Sequence, residues 1–484
     1  MLYQYNGLGE LEYTAADMNL DGNINLAETD RVTRQVRSVT TAHGAHVVRQ
    51  ETYRWATNGV NSSTKVSTLD TSTDGLTSWQ MLWNGSASVT NKTVTEYPAT
   101  GAITRRVTVT KPDGTRTVSE YESGRLARVM EKGTNSSILT QTSYGYDDYG
   151  RQNTITDSRN GTTTLTFDAA DRVVTVTTPS PGAGQNAQVT AHYYNALGRE
   201  TGLKYPDNTY LTNIYDSNGF LILTKGSRQY PVGYSYDRQG RVKTMTNWTS
   251  YPSTGANVTT WNYSPTRGFL TSKVYADSNS VAYTYTDGGK VATRQWARNA
   301  TTTYSYNKAG EPYLVTYSDG TSALTNTYNR LGQLTGVANN GIATTLSYNG
   351  AGQLTGESYS GGTLTGLSVS KTYDAKLRLS QVRAPNLVTN AFAYSGTSGR
   401  LATVTHGAYS ANYGYTTNSS LVSQVLFKQG SDTRMTTTKS YDKLNRLTGM
   451  ISTPSGGGQL PFSYGSSYNE ASQRITVTMN DGSY

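Results

Sequence analysis

The chain has 484 residues, of which 35% are hydrophobic and 15% charged, and it contains no cysteine. These proportions exclude a disulfide framework and a cysteine-rich zinc site, and they argue against a dense aliphatic core. The 42 basic and 33 acidic residues give a net charge of +9, but the basic residues occur singly, which argues against nucleic-acid binding, and no apolar run approaches the ~18 residues of a membrane span.

The first motif in the chain is a twelve-residue stretch, Asp17 to Glu28, with the spacing of a calcium-binding loop. Gly22 stands at the sharp-turn position and Ile24 at the apolar position. Oxygen donors at this spacing wrap around one point, as Ca²⁺ requires, and the loop resembles those of EF-hands and dockerins. The flanking segments indicate strands instead of helices, so a polar turn between two strands is the alternative. The predicted calcium ligands are Asp17, Asn19, Asp21, Asn23, Asn25 and Glu28.

Catalytic motifs are hard to find along the rest of the chain. The only histidines are His43, His46, His192 and His406. The first two lack a third metal ligand nearby and are expected in a surface turn, whereas the other two lie in strand-like segments and are expected in the sheet. No nucleophile elbow, HExxH motif, phosphate loop or dinucleotide fingerprint is present. The sequence therefore predicts no enzymatic activity and no organic cofactor, with calcium as the one candidate cofactor.

From Tyr121 onward a short phrase recurs: an aromatic residue, Asp or Asn, two or three variable residues, Gly, and often Arg or Gln. Clear copies begin at Tyr146, Tyr194 and Tyr236, and successive copies are 20 to 27 residues apart. Such regular spacing indicates a repeat architecture. The sixteen aromatic residues predicted to anchor the repeats are Tyr121, Tyr146, Phe167, Tyr194, Tyr215, Tyr236, Tyr263, Tyr285, Tyr306, Tyr328, Tyr348, Tyr373, Tyr394, Tyr415, Tyr441 and Tyr468.

Each repeat has the composition of a β-hairpin. Asp or Asn bonds its own downstream backbone and Gly supplies a positive φ, so the phrase is a turn. Alternating residues such as Val173 to Thr177 flank it and predict strands. Successive hairpins would pair into one long antiparallel strip, since a lone hairpin is marginal in water. The anchor rings are expected to stack on one another in rows, with their hydroxyl groups facing water.

The Tyr-Asp…Gly-Arg phrase at this spacing closely resembles the YD repeats of Rhs proteins, of the B and C components of insecticidal Tc toxins, and of teneurins. The resemblance covers Tyr121 to Tyr484 closely and Met1 to Glu120 loosely. It implies that the strip spirals into a hollow shell or tube, which in bacterial members often encloses a toxic C-terminal segment and in animal members belongs to an adhesion receptor. The sequence lacks the proline- and glycine-rich core signature of toxin-bearing relatives, and it opens and ends inside a repeat.

We therefore expect an all-β protein with a divergent N-terminal region, residues 1–120, that carries the calcium-loop-like insertion. Residues 121–484 form the regular YD-repeat shell, about 16 repeats of roughly 21–27 residues, truncated at both ends. The predicted function is a non-enzymatic scaffold or container within a larger secreted or surface-associated bacterial protein. Its partners would be other segments of that polypeptide, further copies of itself, or an enclosed toxin. The alternatives are an extracellular adhesin or fibre of shells joined end to end and a carbohydrate-binding surface of tyrosines.

Overall fold

The computed structural model describes residues 1–182, 184–456 and 460–480. These residues form 40 β-strands in one sheet, and every strand pairs antiparallel with the next along the chain. The predicted all-β strip of hairpins is confirmed. The only helical element in this part of the chain is a 3₁₀ turn at Gly362–Leu364, far too short to cross a membrane. The predicted end of the last repeat, residues 481–484, lies outside the described residues.

The first ten strands are β1 (Leu2–Tyr5), β2 (Leu11–Ala16), β3 (Arg31–Ala42), β4 (Ala45–Arg54), β5 (Thr64–Ser72), β6 (Thr77–Asn84), β7 (Ala87–Glu96), β8 (Ile103–Thr110), β9 (Arg116–Glu122) and β10 (Arg125–Lys132). The next fifteen are β11 (Ile138–Tyr146), β12 (Gln152–Asp157), β13 (Gly161–Phe167), β14 (Val173–Thr177), β15 (Val189–Tyr194), β16 (Glu200–Lys204), β17 (Tyr210–Tyr215), β18 (Leu221–Gly226), β19 (Gln229–Tyr236), β20 (Val242–Ser250), β21 (Thr254–Tyr263), β22 (Leu270–Val274), β23 (Ser280–Tyr285), β24 (Val291–Gln295) and β25 (Thr301–Tyr306). The last fifteen are β26 (Pro312–Tyr317), β27 (Leu324–Tyr328), β28 (Leu334–Asn339), β29 (Ile342–Tyr348), β30 (Leu354–Ser360), β31 (Ser368–Tyr373), β32 (Leu379–Ala384), β33 (Val388–Tyr394), β34 (Leu401–His406), β35 (Tyr409–Tyr415), β36 (Val422–Gln429), β37 (Asp432–Tyr441), β38 (Leu447–Pro454), β39 (Phe462–Tyr468) and β40 (Arg474–Met479).

The repeat phrase has a fixed place in this strip. Fifteen of the sixteen anchors are the last residue of an odd-numbered strand from β11 to β39, and each lies beside a β-bulge. The other, Tyr121, is the penultimate residue of β9. We call the connection from an odd to an even strand an anchor turn, and the connection from an even to an odd strand a return loop. All anchor turns lie on one edge of the strip and all return loops on the other.

The strip has little buried core outside its N-terminal part. Two clusters of buried hydrophobic residues lie within the first 81 residues, one around Val32 and Trp55 and one around Val47 and Trp79. Among the described residues after β10, only four hydrophobic side chains are buried, namely Val281, Ala300, Val315 and Val425. Strand β13 has half-buried and exposed residues in strict alternation, whereas its neighbours β12 and β14 are half-buried throughout. The later strands are therefore mostly half-buried, and few of their side chains are fully covered.

The strip curves until one edge meets the other. The return loop after β8 contacts the anchor turn after β31 through Asp113 and Arg378, and the loop after β10 contacts the turn after β33. In the second contact, Thr134 N donates to Thr397 O at 2.8 Å. We call this line of contacts the seam. Its partners are offset by 23 strands, or by 25 in a few contacts, so the strip completes one revolution in roughly 24 strands.

Candidate functional site

The anchor turn after β19 shows why the phrase has its composition. Asp237 Oδ1 accepts the N–H of Arg241 at 3.0 Å, and Oδ2 accepts Arg241 Nε at 2.7 Å. Gly240 adopts φ 78° and donates its N–H to Asp237 O, which closes the turn. The guanidinium of Arg241 then lies over the ring of the next anchor, Tyr263, 4.2 Å from its centroid. Asp, Gly and Arg are thus coupled in one turn, which Arg joins to the following repeat.

Electrostatics support the same arrangement in other copies. Hydrogen bonds from the side chain and backbone of Arg172 hold the pKa of Asp168 below its ordinary value, so the carboxylate is charged across the neutral range. Asn in place of Asp bonds a following Gln or Glu, as Asn349 does Gln353, but it leaves a following Arg incompletely bonded. The turn after β15 has Asn195, and Nε of its partner Arg199 is buried without a hydrogen-bond partner. The Asp–Arg pair therefore supplies a contact that Asn cannot.

The anchor rings do not stack on one another, which corrects the expectation from the sequence. Instead a cation from the preceding anchor turn covers nine of them, and Phe220 and Phe269 stack on two more at 4.7 Å. A guanidinium is planar and stacks on an aromatic face, so it fills the space between repeats while remaining hydrogen-bonded. Among the described residues no two anchor rings are paired directly.

The anchor hydroxyl groups also do not face water as expected. Fourteen of them donate to a backbone carbonyl of the preceding repeat at 2.7–3.0 Å; Tyr236, for example, donates to Leu221 O. The acceptor is the residue that pairs with the previous anchor across the strip. Phe167 has no hydroxyl and cannot make this bond, although Gln152 presents the equivalent carbonyl. Tyrosine is therefore required for a hydrogen bond between repeats.

The Asp17–Glu28 loop is the return loop between β2 and β3, and it is tied together by its own polar side chains. Asp17 accepts the N–H groups of Leu20 and Gly22 at 2.6 and 3.0 Å. The amide of Asn19 lies between two carboxylates, 3.1 Å from Asp21 Oδ2 and 3.0 Å from Glu28 Oε2. The loop thus brings the side chains of Asn19, Asp21 and Glu28 together.

The remaining predicted ligands lie in the same loop. Asn25 Nδ2 donates to Asp21 Oδ2 at 2.7 Å, whereas the side chain of Asn23 turns to Asp21 O at 3.2 Å. The backbone N–H of Asn23 and the Asn25 side chain hold the pKa of Asp21 below its ordinary value. No three acidic or histidine side chains gather closely enough to hold a metal in the described part of the chain. Rotating the Asn19 amide by half a turn would present its oxygen to the point between the carboxylates, so the donor set fits calcium without yet enclosing it.

Two residues that the sequence did not single out fix this loop in place. Asp30, which is completely buried, accepts the N–H groups of Met18 and Asn25 at 2.8 and 3.0 Å. Arg330, in the anchor turn after β27, is 4% exposed and donates to Asp30 O and Leu26 O at 2.6 and 2.8 Å. Burial lowers the pKa of Arg330. The loop Asp17–Glu28, called the calcium-like loop below, is consequently part of the seam.

Comparison with known proteins adds the family. A family model described as the RHS repeat matches residues 328–364, which include the anchor turn that holds Arg330. The strip is similar to the crystal structure of TcdB2-TccC3, with a TM-score of 0.64 and 13% identity, over 99% of this chain and 30% of that chain. The crystal structure of TcdB2-TccC3-TEV gives 0.59 and 13%, over 96% of this chain and 27% of that chain. Residues 328–364 thus match an RHS repeat, and the chain as a whole has the fold of those solved structures.

The chain spans less than a third of the length of those solved chains, and the likeness to them concerns the fold. No curated protein matches its sequence. The matched segment, the repeat phrase and the 40-stranded strip agree with one another, since all three describe a chain of repeated β-hairpins.

The four histidines of the chain do not converge on a common site. His43, at the tip of the β3–β4 hairpin, stacks on Trp79 with ring centroids 4.4 Å apart and contacts Asp70 Oδ2 at 2.9 Å. His46 instead contacts Thr41 at 3.2 Å. The others lie in strands, where His192 contacts Glu200 Oε1 at 2.6 Å and His406 contacts Thr389 O at 2.9 Å.

Asp70 is the most heavily paired buried carboxylate of this region. It is completely buried and accepts two hydrogen bonds from Arg49, at 2.8 and 2.7 Å, as well as the contact from His43. The Arg49 guanidinium above all, and then His43, hold its pKa below the ordinary value against the effect of burial. This cluster stabilises the N-terminal hairpins.

Proposed function

We propose that this chain is a non-enzymatic wall segment of a larger secreted or surface-associated bacterial Rhs/YD-repeat protein, serving as a scaffold or container. The observation that carries the proposal is the seam: the strip returns to itself after 23 strands while its faces stay largely uncovered. A structural wall needs no catalytic cluster, and the repeat turns account for the recurring Asp, Gly and Arg residues.

The length of one revolution supports a hollow interior. Strands lie about 4.8 Å apart, so 23 strands span roughly 110 Å, the circumference of a ring about 35 Å across. Side chains from a packed sheet occupy about 5 Å on each side, which leaves a lumen of roughly 25 Å. A flattened ring would bury one face of the sheet, yet the half-buried faces of β13 and its neighbours remain partly accessible. The space is large enough for an unfolded polypeptide.

The absence of cysteine allows a direct test of the lumen. Thr163 and Thr164 are adjacent in β13 and point to opposite faces, the first half-buried and the second exposed. Single-cysteine variants Thr163→Cys and Thr164→Cys form a matched pair. We expect both thiols to react with a small maleimide, but only one with a maleimide attached to a large polymer. Equal reaction of both variants with the large reagent would contradict an enclosed face.

The loop supports a further proposal, that calcium binds at Asp17–Glu28 and stabilises the wall. Support comes from the twelve-residue spacing and from the Asn19 amide held between Asp21 and Glu28. Such a site would be structural, because the loop belongs to the seam and lies between strands.

The wall could enclose a toxin or assemble into an adhesive fibre, and both remain proposals. Electron microscopy distinguishes them, because a container forms discrete particles and a fibre forms filaments with a repeating subunit.

A further inference from the structure

The positive charge of the chain is concentrated in one segment. Residues 221–310 hold 11 basic and 3 acidic residues, a net charge of +8, whereas the whole chain has +9. This segment forms strands β18 to β25 with their connections. Strands β20 to β25 contain no aspartate or glutamate, and their three basic residues are Lys243, Lys273 and Arg294. The fold therefore gathers cations that stand singly in the sequence.

Two of these cations share one face of the sheet with two aromatic rings. Trp261 pairs with Lys273 across β21 and β22, and Tyr283 pairs with Arg294 across β23 and β24, so the members of each pair share a face. Lys273 also pairs with Val281, which is two residues from Tyr283, so both pairs lie on the same face. Cations and rings are therefore interleaved across four consecutive strands.

Lys243 extends this set to β20. It precedes Thr244, which pairs with Thr260, so Lys243 and Trp261 lie on the same face. Both also line an open depression of about 640 Å³. The cations lie on every second strand, β20, β22 and β24, which places successive charges about 10 Å apart across the strip. We call the following residues the cationic patch: Lys243, Trp261, Lys273, Tyr283 and Arg294.

The cations of the patch keep their charge because no carboxylate neutralises them. None of the three forms an ion pair in the part of the chain that the structure describes. Lys273 Nζ lies 5.4 Å from the centroid of the Trp261 ring, and Arg294 Cζ lies 3.5 Å from that of Trp296. The buried Nε of Arg294 has no hydrogen-bond partner. An aromatic ring attracts a cation without cancelling its charge, so these groups are available to an anion.

Basic residues elsewhere in the sheet are arranged differently. In the N-terminal strands, Arg34, Arg49 and Lys65 each face a carboxylate of the neighbouring strand at 2.7–2.9 Å. Some later strand cations also lack an acidic partner, but no aromatic ring contacts them among the described residues; examples are Lys371, Arg383 and Lys439. The patch is marked by the combination of unpaired cations and interleaved rings on one face.

We propose that the cationic patch binds an acidic polysaccharide. Arg and Lys bind carboxylates, and aromatic rings present flat faces against which sugar rings pack. One cation on every second strand suits a chain with a carboxylate on every second sugar. A nucleic-acid strand carries a phosphate on every nucleotide, at a much closer spacing, and fits this arrangement less well. The inference is independent of the container role, because no residue of the patch takes part in the described contacts of the seam.

Isothermal titration calorimetry at low salt tests the proposal with a short hyaluronan oligosaccharide, whose carboxylates lie on alternate sugars. The neutral control ligand is a chitin oligosaccharide of the same length, and an oligothymidylate of the same charge tests the nucleic-acid alternative. The test variant combines Lys243→Gln, Lys273→Gln and Arg294→Gln. Because Lys243 is exposed, Lys243→Gln alone provides a second variant that places no demand on packing.

The matched control variant removes the same charge outside the patch, through Lys371→Gln, Arg383→Gln and Lys439→Gln. We expect the unaltered chain and this control to bind the hyaluronan oligosaccharide and the test variant to bind it about tenfold more weakly. Lys243→Gln alone should weaken binding about threefold, and added salt should weaken binding by the unaltered chain. Circular dichroism and melting curves check that each variant keeps the fold.

Four results would overturn the inference. They are an unaltered chain that does not bind the acidic oligosaccharide, equal binding of the neutral one, variants of the patch that bind like the control variant, and preferential binding of oligothymidylate. The cysteine-labelling test of the lumen uses β13 and is unaffected by any of them.

Discussion

Replacing Arg330 by Ala should open the seam at the calcium-like loop. The guanidinium donates four hydrogen bonds to carbonyl oxygens: Asp30 O at 2.6 Å, Thr57 O at 3.0 Å, Asn25 O at 2.9 Å and Leu26 O at 2.8 Å. Among the described residues, no other side chain joins the return loops after β2 and β4 to the later strands in this way. The substitution therefore removes the main link between loop and seam.

The size of the effect follows from these contacts. A hydrogen bond from a charged donor contributes about 1.5–3 kcal/mol, but the bonds of one group are not additive and water enters the space left by truncation. Burying the guanidinium, which is 4% exposed, also costs free energy, as its lowered pKa indicates. We expect a net loss of about 3 kcal/mol at the loop. Arg330→Lys should lose about 2 kcal/mol of stability at the loop, because an ammonium group cannot reproduce the forked set of hydrogen bonds that a guanidinium donates.

Hydrogen exchange is the suitable assay, since a chain of this length is not expected to unfold in a single two-state step. The amides of Met18 and Asn25 report on the loop because both donate to the buried Asp30. Their protection should fall about a hundredfold in Arg330→Ala, while amides of β17 and β18 keep theirs. Arg378→Ala is the control, since its single seam contact of 3.4 Å should be worth under about 1 kcal/mol.

Unchanged protection of the loop amides in Arg330→Ala would refute this reasoning. A uniform loss of protection along the whole strip would also contradict the prediction that the effect is confined to the loop. That second result would show that the seam unfolds as one unit, so that no single contact can be assigned to the loop.

Four substitutions, one of them combined with a pH titration, test the other contacts. Calcium should raise the melting temperature of the unaltered chain but not that of Glu28→Gln, and no response to calcium or EDTA in either would dismiss the metal site. Phe167→Tyr should stabilise the wall by about 1 kcal/mol in thermal unfolding through the missing inter-repeat hydrogen bond, and no gain would show that the carbonyl cannot accept it. Asn195→Asp should also stabilise by about 1 kcal/mol by giving Arg199 Nε its partner, with unchanged unfolding as the contrary result. Because the folded-state pKa of Asp70 lies below its ordinary value of 3.8, its stabilisation is complete above that pH and lost as the pH falls below it. Asp70→Asn should cost about 2–3 kcal/mol of stability at neutral pH and weaken the fall of the melting temperature at acidic pH. An unchanged fall at acidic pH would contradict this.

The sequence is sufficient for the local chemistry of the repeat. The turn formed by Asp237, Gly240 and Arg241 depends on residues within five positions of one another, so a single copy of the phrase predicts it. The regular spacing then predicts the strip, because identical hairpins can bury their edges only against each other. The strand ends follow from the same signal, since each anchor directly precedes its turn.

The role of the anchor hydroxyl groups was not predictable from a single repeat. Tyr236 bonds Leu221 O, a backbone atom of the preceding repeat, and composition alone does not distinguish such a bond from exposure to water. The same holds for the rings. A sequence shows that Arg241 and Tyr263 recur in step, but only their placement in three dimensions shows that the cation lies between successive rings.

The seam lies further beyond sequence reasoning, and it changes how the strip should respond to perturbation. In a solenoid each repeat contacts only its neighbours, so its stability is a sum of local terms. Here Arg330 joins Asn25 across 305 residues and Arg31 joins Glu311 across 280. Arg330 stands at a variable position of its turn, Arg31 begins a strand, and Glu311 takes the place that Arg or Gln has in other copies, so the repeat signal does not predict these contacts. Since the calcium-like loop stands at the start of this seam, a cation bound there would stabilise the contacts of Arg330, 25 strands away, as well as its own hairpin. Loss of the ion should therefore be detected by hydrogen exchange around Arg330 and in β28.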